Sequence, residues 1–327
     1  MTDDISISHL VKEDIIEGKI PNVCCKKAFL SGLIRGAGNY YVNSSGFGIN
    51  VQHQSPDLIT KCAQMVKQLI SFEPTVKMRQ QEREVTTKRD NGPKTVYELE
   101  LPGTKCFDLL EEAYISPAPF QLYEGIAPEL IESPCCAKAF LQGAFLASGT
   151  ISIPSADEGG SAGYYLDITL TSEIVAEDLL NLLNNIGLDA KLRKRGETYS
   201  VYLKDAEKIS DMCALMGAMR AVLEIQNTLV LRSIRNDANR QANCANANID
   251  KSIEAGLKQV AAIELIDRKI GLSALDQGLR DTALARVAHP EMSLNELASV
   301  IEGNPSKSCL NHRMRKLVSL AEELENN

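Results

Sequence analysis

A segment that occurs twice constrains this chain more than any other feature. The residues CCKKAFLSGLIRGAG at 24–38 return as CCAKAFLQGAFLASG at 135–149, and eight of the fifteen positions are identical in register. Such self-similarity is the signature of a duplicated structural unit. The sequence therefore predicts two copies of one fold, at about 21–124 and 132–226, within a duplicated domain of residues 21–226.

The residues after each copy follow the same order of secondary structure. Two short β-type runs come first, and a Ser cap at Ser55 or Ser172 then begins a helix. Two more strands follow, around the turns at Asn91-Gly92 and at Gly196, and a last helix ends each unit. The predicted fold class is α+β, an αββαββα unit present twice with pseudo-two-fold symmetry.

Small residues recur at helical spacing in the first helix of each copy. Gly32 and Gly36 in copy one correspond to Gly143 and Ala147 in copy two. Small residues at this spacing allow two helix backbones to approach closely. We expect the two helices to pack on each other about the pseudo-two-fold axis, although each helix could instead pack within its own unit.

The two segments LSGLIRGAG and LQGAFLASG resemble the LAGLIDADG helices of homing endonucleases. In that family the residue before the final Gly is an Asp or Glu that binds the catalytic metal ions. Ala37 and Ser148 occupy these positions here. Neither a methyl group nor a neutral hydroxyl replaces a carboxylate as a ligand for Mg²⁺, so the resemblance implies a fold without nuclease activity. No catalytic residue is predicted.

The nine cysteines include no C-x-x-C pair, which argues against a zinc site. The neighbours Cys24 and Cys25, like Cys135 and Cys136, would diverge by about 100° on a helix, so one of each pair can pack inward. We therefore expect buried free thiols, with no metal and no cofactor.

A formal net charge of −8 disfavours nucleic-acid binding on average, but the position of the cations decides affinity. Strand alternation predicts one basic face in each copy, formed by the side chains of Lys77, Arg79, Lys191, Arg193 and Arg195. This face could contact DNA, or it could simply be solvated. Glu98 and Asp167 on other strands interrupt it.

Residues 227–272 are predicted as an Asn-rich linker followed by a connecting helix. Asn239-Arg240, Asn243-Cys244 and Ala247-Asn248 match the N-R-x-x-N-C-x-x-A-N pattern, so this segment resembles that of the WhiA family of transcription regulators. Amide side chains suit a buried polar junction, and we expect this segment to fix the geometry between domains. A low-complexity tether is the alternative.

The last part of the chain, 273–327, is predicted to be an all-α helix-turn-helix domain. Ser293 and Glu296 form a capping box for one helix, and Ser306 begins a second helix after a turn that contains Gly303. The order helix, short turn, helix is typical of DNA-binding domains.

The helix after Ser306 is the predicted DNA reader. Residues 306–318 hold four Lys or Arg and no acid, whereas a solvated face usually mixes both signs. The closing segment also resembles the end of WhiA proteins. The predicted DNA-binding residues are Ser306, Lys307, Ser308, Asn311, His312, Arg313, Arg315 and Lys316.

Residues 1–20 are predicted to be an N-terminal arm, acidic and polar, and we expect a cytoplasmic, nucleoid-associated protein without a membrane partner. The WhiA resemblance implies a regulator of cell-division or sporulation genes that binds double-stranded DNA, with another transcription factor or an RNA polymerase subunit as a further partner. Two alternatives stay open: a metal-dependent endonuclease with displaced carboxylates such as Asp157 and Glu158, and a protein-binding adaptor.

Overall fold

The computed structural model describes residues 6–43, 46–81, 94–118, 121–154 and 163–326. The chain divides into two compact units, Met1–Arg232 and Ser233–Asn327. Within the described residues, no helix has both the length and the apolar character needed to cross a bilayer.

The first unit begins with one helix and then contains the duplicated fold. The helix is α1 (Ile7–Glu17). The first copy consists of α2 (Val23–Ala37), β1 (Gly38–Asn43), β2 (Gly46–His53), α3 (Pro56–Ile70), β3 (Thr75–Gln81), β4 (Lys94–Pro102) and α4 (Thr104–Glu112). The second copy consists of α5 (Pro128–Ile131), α6 (Pro134–Ser148), β5 (Gly149–Ser152), β6 (Tyr165–Leu170), α7 (Glu173–Asn185), β7 (Lys191–Arg195), β8 (Thr198–Leu203) and α8 (Ala206–Met216). The predicted α+β class is confirmed, and the order αββαββα occurs in both copies.

Local sequence explains why these elements begin where they do. The Ser55 hydroxyl accepts from the backbone N–H of Leu58 at 3.3 Å, and Pro56 occupies the first position of α3. Ser172 caps α7 in the same way, through the N–H of Val175. The two Ser caps predicted from the sequence are therefore observed, and they place equivalent helices at equivalent points of the two copies.

The two four-stranded antiparallel sheets have one topology. Their strand orders are β1-β2-β4-β3 and β5-β6-β8-β7. Gly38 pairs with Val51 in the first sheet, and Gly149 pairs with Ile168 in the second. Because the registers match, the polar faces of the two sheets can be compared position by position. The predicted turn at Asn91-Gly92 lies outside the described residues.

The helices α2 and α6 pack directly on each other at the centre of the first unit. A Cβ added at Gly143 would lie 2.0 Å from the carbonyl oxygen of Phe29, which is closer than any real contact. The aromatic rings of Phe29 and Phe140 are fully buried beside this crossing. The expected helix pair is therefore observed, and only residues without a Cβ allow the two backbones to approach this closely.

The N-terminal segment forms a packed helix, which corrects the prediction of an arm at residues 1–20. Val11 and Ile15 on α1 are buried in the core of the first unit. The Asp14 carboxylate accepts from the backbone N–H of Arg220 at 2.9 Å and pairs with the Arg220 side chain. The sequence did not indicate this buried face, because Val11 and Ile15 are only one turn apart in a segment that is otherwise largely polar.

One helix of 52 residues, α9 (Met219–Ile270), begins in the first unit and ends in the second. It includes the whole Asn-rich segment, and Asn239, Asn243 and Asn248 are exposed. The predicted linker and its buried polar junction are therefore not observed. The reason is that neither Gly nor Pro occurs between Gly217 and Gly256, so no helix-breaking residue interrupts this stretch.

The second unit packs three helices against the last part of α9. A short 3₁₀ helix (Leu272–Ala274) comes first, followed by α10 (Gln277–Ala288), α11 (Leu294–Val300) and α12 (Lys307–Glu325). Its core contains Ile263, Ile266, Leu275, Leu279, Ala283, Leu297, Ile301, Leu310, Met314, Leu317 and Ala321. This small core holds α11 and α12 in a fixed relation.

Candidate nucleic-acid interface

The turn between α11 and α12 has the chemistry that the sequence predicts. The Ser293 hydroxyl accepts from the N–H of Glu296 at 3.3 Å, and the Glu296 carboxylate accepts from the N–H of Ser293 at 2.8 Å. Hydrogen bonds to its charged form hold the pKa of Glu296 below its ordinary value. Gly303, at φ +86°, turns the chain before α12. The predicted capping box and turn are confirmed.

The orientation of α12 is set by its apolar face. Leu310, Met314 and Leu317 are at most 1% exposed, and they follow the spacing of one helical face. Ser306 caps the helix through the N–H of Cys309 at 3.3 Å. The opposite face of α12 is therefore turned to solvent, with its first turn fully formed.

Seven of the eight predicted DNA-binding residues lie on this exposed face. They are Ser306, Lys307, Ser308, Asn311, His312, Arg315 and Lys316. Within the part of the chain that the structure describes, the side chains of Asn311, Arg315, Lys307 and Lys316 make no hydrogen bond or ion pair. These groups are available to an external partner.

The charges along α12 oppose the helix dipole. Lys307 is the first residue of α12, at the end where the helix dipole is positive. Glu322 and Glu325 lie near the C-terminal end, where the dipole is negative. Each of these placements costs stability instead of adding to it. Helix stability therefore does not explain why cations gather in the first half of α12.

Arg313 is a correction to the predicted set. Its side chain is half-buried and points at α10, where Nη1 donates to the Thr282 hydroxyl at 3.3 Å. The guanidinium also lies against Gly278, whose missing side chain leaves it room. The sequence predicted Arg313 as a surface cation, because helical spacing alone does not show that α10 covers its side chain.

The basic face of the first sheet is neutralised within the protein. Lys77 forms an ion pair with Glu100, and Arg79 Nε lies 2.7 Å from the carboxylate of Glu98. Glu98 is almost completely buried, and Asn50 donates to it at 2.5 Å. The predicted cations Lys77 and Arg79 therefore present little net positive charge to a polyanion.

The second sheet keeps its positive charge. The registers place Ser200 and Tyr202 where the first sheet has Glu98 and Glu100, since Ser200 pairs with Arg193 as Glu98 pairs with Lys77. Lys191, Arg193 and Arg195 are all exposed. The sequence showed the cations of both copies but not this difference, which depends on strand register.

Two further contacts fix part of this second face. Arg193 donates to the Tyr165 hydroxyl at 3.1 Å and lies 5.5 Å from the Tyr202 ring centroid. Asp167, which is 7% exposed, accepts from the hydroxyls of Thr150, Thr169 and Ser200. Aromatic and hydroxyl groups therefore support the cations, and the Asp167 carboxylate is held within a cluster of hydroxyl donors.

The helices α2 and α6 end at the positions that hold the metal ligands in homing endonucleases. Ala37 is the last residue of α2, and Ser148 is the last residue of α6. The Ser148 hydroxyl is buried. Among the residues that the structure describes, the only group of three or more potential ligands from His, Cys, Asp and Glu lies at the other end of this helix pair. Asp157 and Glu158 lie outside the described residues.

A duplicated LAGLIDADG-like domain joined to a C-terminal helix-turn-helix domain is the class of protein that this fold defines. Family models match in three parts: the WhiA N-terminal LAGLIDADG-like domain at 23–89, the WhiA LAGLIDADG-like domain at 137–235, and the WhiA C-terminal HTH domain at 238–321. The chain belongs to the WhiA family, as its sequence motifs indicated.

Relatives match nearly the whole chain. The protein named "Probable cell division protein WhiA" from Macrococcus caseolyticus is 35% identical over 306 residues, 93% of this chain and 92% of its own length. The protein of the same name from Brevibacillus brevis is 33% identical over 302 residues, with 92% of each chain covered. The crystal structure of full-length WhiA from Thermatoga maritima has the same fold, with a TM-score of 0.56 at 22% identity over 98% of each chain.

Proposed function

We propose that this chain is a sequence-specific regulator that binds double-stranded DNA through α12. The observation that carries the proposal is the exposed face of the first half of α12, where Lys307, Arg315 and Lys316 lie with Asn311 and no acid occurs before Glu322. DNA carries one negative charge per about 1.7 Å of helix axis, so a compact acid-free face is the arrangement that it attracts. The acidic residues that give the chain its net charge of −8 all lie outside residues 306–318.

The spacing on α12 separates two kinds of contact. Asn311 and Arg315 are one helical turn apart and share the exposed face, so both side chains can reach into one major groove. An arginine can contact guanine, and an asparagine adenine, through two hydrogen bonds. Lys307 and Lys316 lie toward the edges of this face, and they are assigned to phosphate contacts.

The second sheet is a subsidiary DNA contact in this proposal. Its cations Lys191, Arg193 and Arg195 are exposed, and Ser200 and Tyr202 take the place of the acids that neutralise the first sheet. Such a face suits the phosphate backbone, which contributes affinity without reading sequence. Lys77 and Arg79 are assigned no part in DNA binding.

The duplicated domain is assigned no nuclease activity. Ala37 and Ser148 lie at the helix feet, and neither side chain supplies the carboxylate that Mg²⁺-dependent cleavage needs. The relatives carry the name of a cell-division protein. We therefore assign the regulator to cell-division or sporulation genes and to the nucleoid in the cytoplasm.

The test is DNA selection followed by gel shifts with the full-length protein at matched salt. Asn311→Ala with Arg315→Ala should abolish preference for the selected site and leave much of the non-specific binding. Arg268→Ala, an exposed arginine near the end of α9, is the matched control and should keep full preference. Circular dichroism checks that each variant is folded.

Three outcomes would overturn the proposal in whole or in part. Full sequence preference in the folded Asn311→Ala, Arg315→Ala variant would exclude α12 as the reader. Magnesium-dependent nicking of plasmid by the purified protein, lost on chelation, would establish the nuclease alternative. If selection yields no preferred sequence and binding is not competed by DNA, the protein-binding adaptor is the better description.

A further inference from the structure

Four cysteines meet at the N-terminal ends of the central helix pair. Cys24 and Cys25 are the second and third residues of α2, and Cys135 and Cys136 hold the same positions in α6. Their four Sγ atoms all lie within 4.8 Å of one another. Residues more than 100 positions apart come together because the pseudo-two-fold axis runs between the helices. We call this group the cysteine cluster.

The cluster has two buried and two exposed members. Cys25 and Cys136 are each 5% exposed, and their Sγ atoms are 3.9 Å apart, whereas Cys24 and Cys135 reach solvent. A disulfide would need about 2.0 Å between sulfurs, so the buried pair is not bonded.

The sulfur positions match the size of a tetrahedral site. Metal–sulfur bonds of about 2.3 Å give a tetrahedron whose edges are about 3.8 Å long. The buried pair already has this separation, and the exposed cysteines can turn about their side-chain bonds to close the remaining distance. An iron–sulfur cluster divides its four cysteines among two or more irons, so cysteines on different irons would need wider spacing than 4.8 Å.

The surroundings favour an anionic centre. Neither Asn22 nor Ser133 caps its helix through its side chain, and the four cysteines lie in the first turns of α2 and α6, at the positively polarised ends of the two helices. Lys138 lines a cavity of about 320 Å³ together with Cys25 and Cys135, and the Asp14 carboxylate that also lines it is paired with Arg220. Two helix dipoles and a lysine offset the two negative charges of a divalent ion bound by four thiolates.

We propose that the cysteine cluster binds one soft divalent transition-metal ion, preferentially Zn²⁺, through the four thiolates of Cys24, Cys25, Cys135 and Cys136. Zn²⁺ prefers four sulfur ligands in tetrahedral geometry, and a bound ion removes the thiol protons directly. All four positions are filled by protein, so the ion is structural. It joins the two copies of the duplicated fold at their symmetry axis, and the exposed cysteines provide its path to solvent.

The first experiment uses Co²⁺ as a spectroscopic probe on the full-length protein, purified reduced and stripped of metal. One equivalent of Co²⁺ should give the strong visible bands and thiolate charge-transfer absorption of tetrahedral sulfur coordination, and Zn²⁺ should displace it. Cys24→Ser with Cys135→Ser alters only exposed positions, which protects the fold, and it should weaken Co²⁺ binding at least tenfold. Cys244→Ser, an exposed cysteine on α9, is the matched control and should bind normally.

A second measurement is the melting temperature with and without Zn²⁺. Zn²⁺ should raise it in the wild type and in Cys244→Ser but not in the Cys24→Ser, Cys135→Ser variant, because only a ligand of the folded state stabilises. Absence of the cobalt spectrum in the reduced wild type, or its persistence in that double variant, would overturn the proposal. Loss of two hydrogens by mass on mild oxidation, with no metal bound under reducing conditions, would show a disulfide pair instead.

Discussion

A Cβ atom at Gly32 would lie 2.2 Å from the carbonyl oxygen of Phe140, so the backbone of α2 runs directly against the backbone of α6. The approach is repeated in reverse at Gly143, which faces Phe29. This reciprocal contact makes the two copies one domain, and it places their equivalent residues side by side along the axis.

Gly32→Ala should destabilise the first unit by about 2 kcal/mol, because the added methyl group must push backbone away in a packed core. Alanine favours an isolated helix over glycine by about 1 kcal/mol, so a net loss would identify the close approach as the cause. Urea denaturation measures the effect. Gly163→Ala is the control, because a Cβ there meets nothing within 4 Å. Equal stability of both variants would contradict the packing described here.

Two arginines two residues apart on α12 should behave differently when replaced by alanine. Arg315→Ala should leave the free energy of unfolding within about 0.5 kcal/mol of wild type and remove about 1–3 kcal/mol of base discrimination. Arg313→Ala should lower stability by about 1 kcal/mol, because it removes the bond to Thr282, and should retain discrimination. Denaturation measures stability, and gel shifts with cognate and scrambled DNA measure discrimination. A reversed pattern would mean that the face of α12 with Arg313, and not the face with Arg315, reads the DNA.

The salt dependence of DNA binding should separate α12 from the first sheet. Lys307→Ala should reduce the slope of log K against log salt by about one unit, since one phosphate contact is lost. Lys77→Gln with Glu100→Gln removes an internal ion pair without changing net charge, and the slope should stay the same. A flatter slope in this paired variant would mean that the first sheet also contacts DNA.

The capping box of α11 should make stability depend on acidity. Hydrogen bonds from Ser293 lower the pKa of Glu296 in the folded state, so its contribution is fully present above the ordinary value of 4.5 and is lost as pH falls through the lowered value. Glu296→Gln keeps an acceptor but no charge. Its deficit relative to wild type should therefore be constant near neutral pH and shrink below about pH 4.5.

Thermal unfolding across this pH range measures the difference. Glu302→Gln is the matched control, because Glu302 is an exposed acid in the turn after α11. A deficit that grows as the solution becomes more acidic would reverse the predicted sign and exclude the ionised capping box as its source.

Local chemistry made much of this protein readable from its sequence. The repeated segment predicted two equivalent units, the Ser caps marked helix starts at Ser55 and Ser172, and the apolar spacing on α12 showed which face is exposed. These features depend on residues within one or two turns of each other, where propensity and capping dominate. The order of the sequence motifs also identified the WhiA family.

Tertiary structure decided the features that depend on distant residues. Strand register determines that Glu98 and Glu100 neutralise the first sheet and that Ser200 and Tyr202 leave the second one basic. Packing of α10 covers Arg313, although its spacing on α12 suggested a free cation. The four cysteines showed no C-x-x-C spacing, yet the symmetry axis brings their sulfurs within 4.8 Å, because contact in a folded chain follows geometry instead of sequence separation.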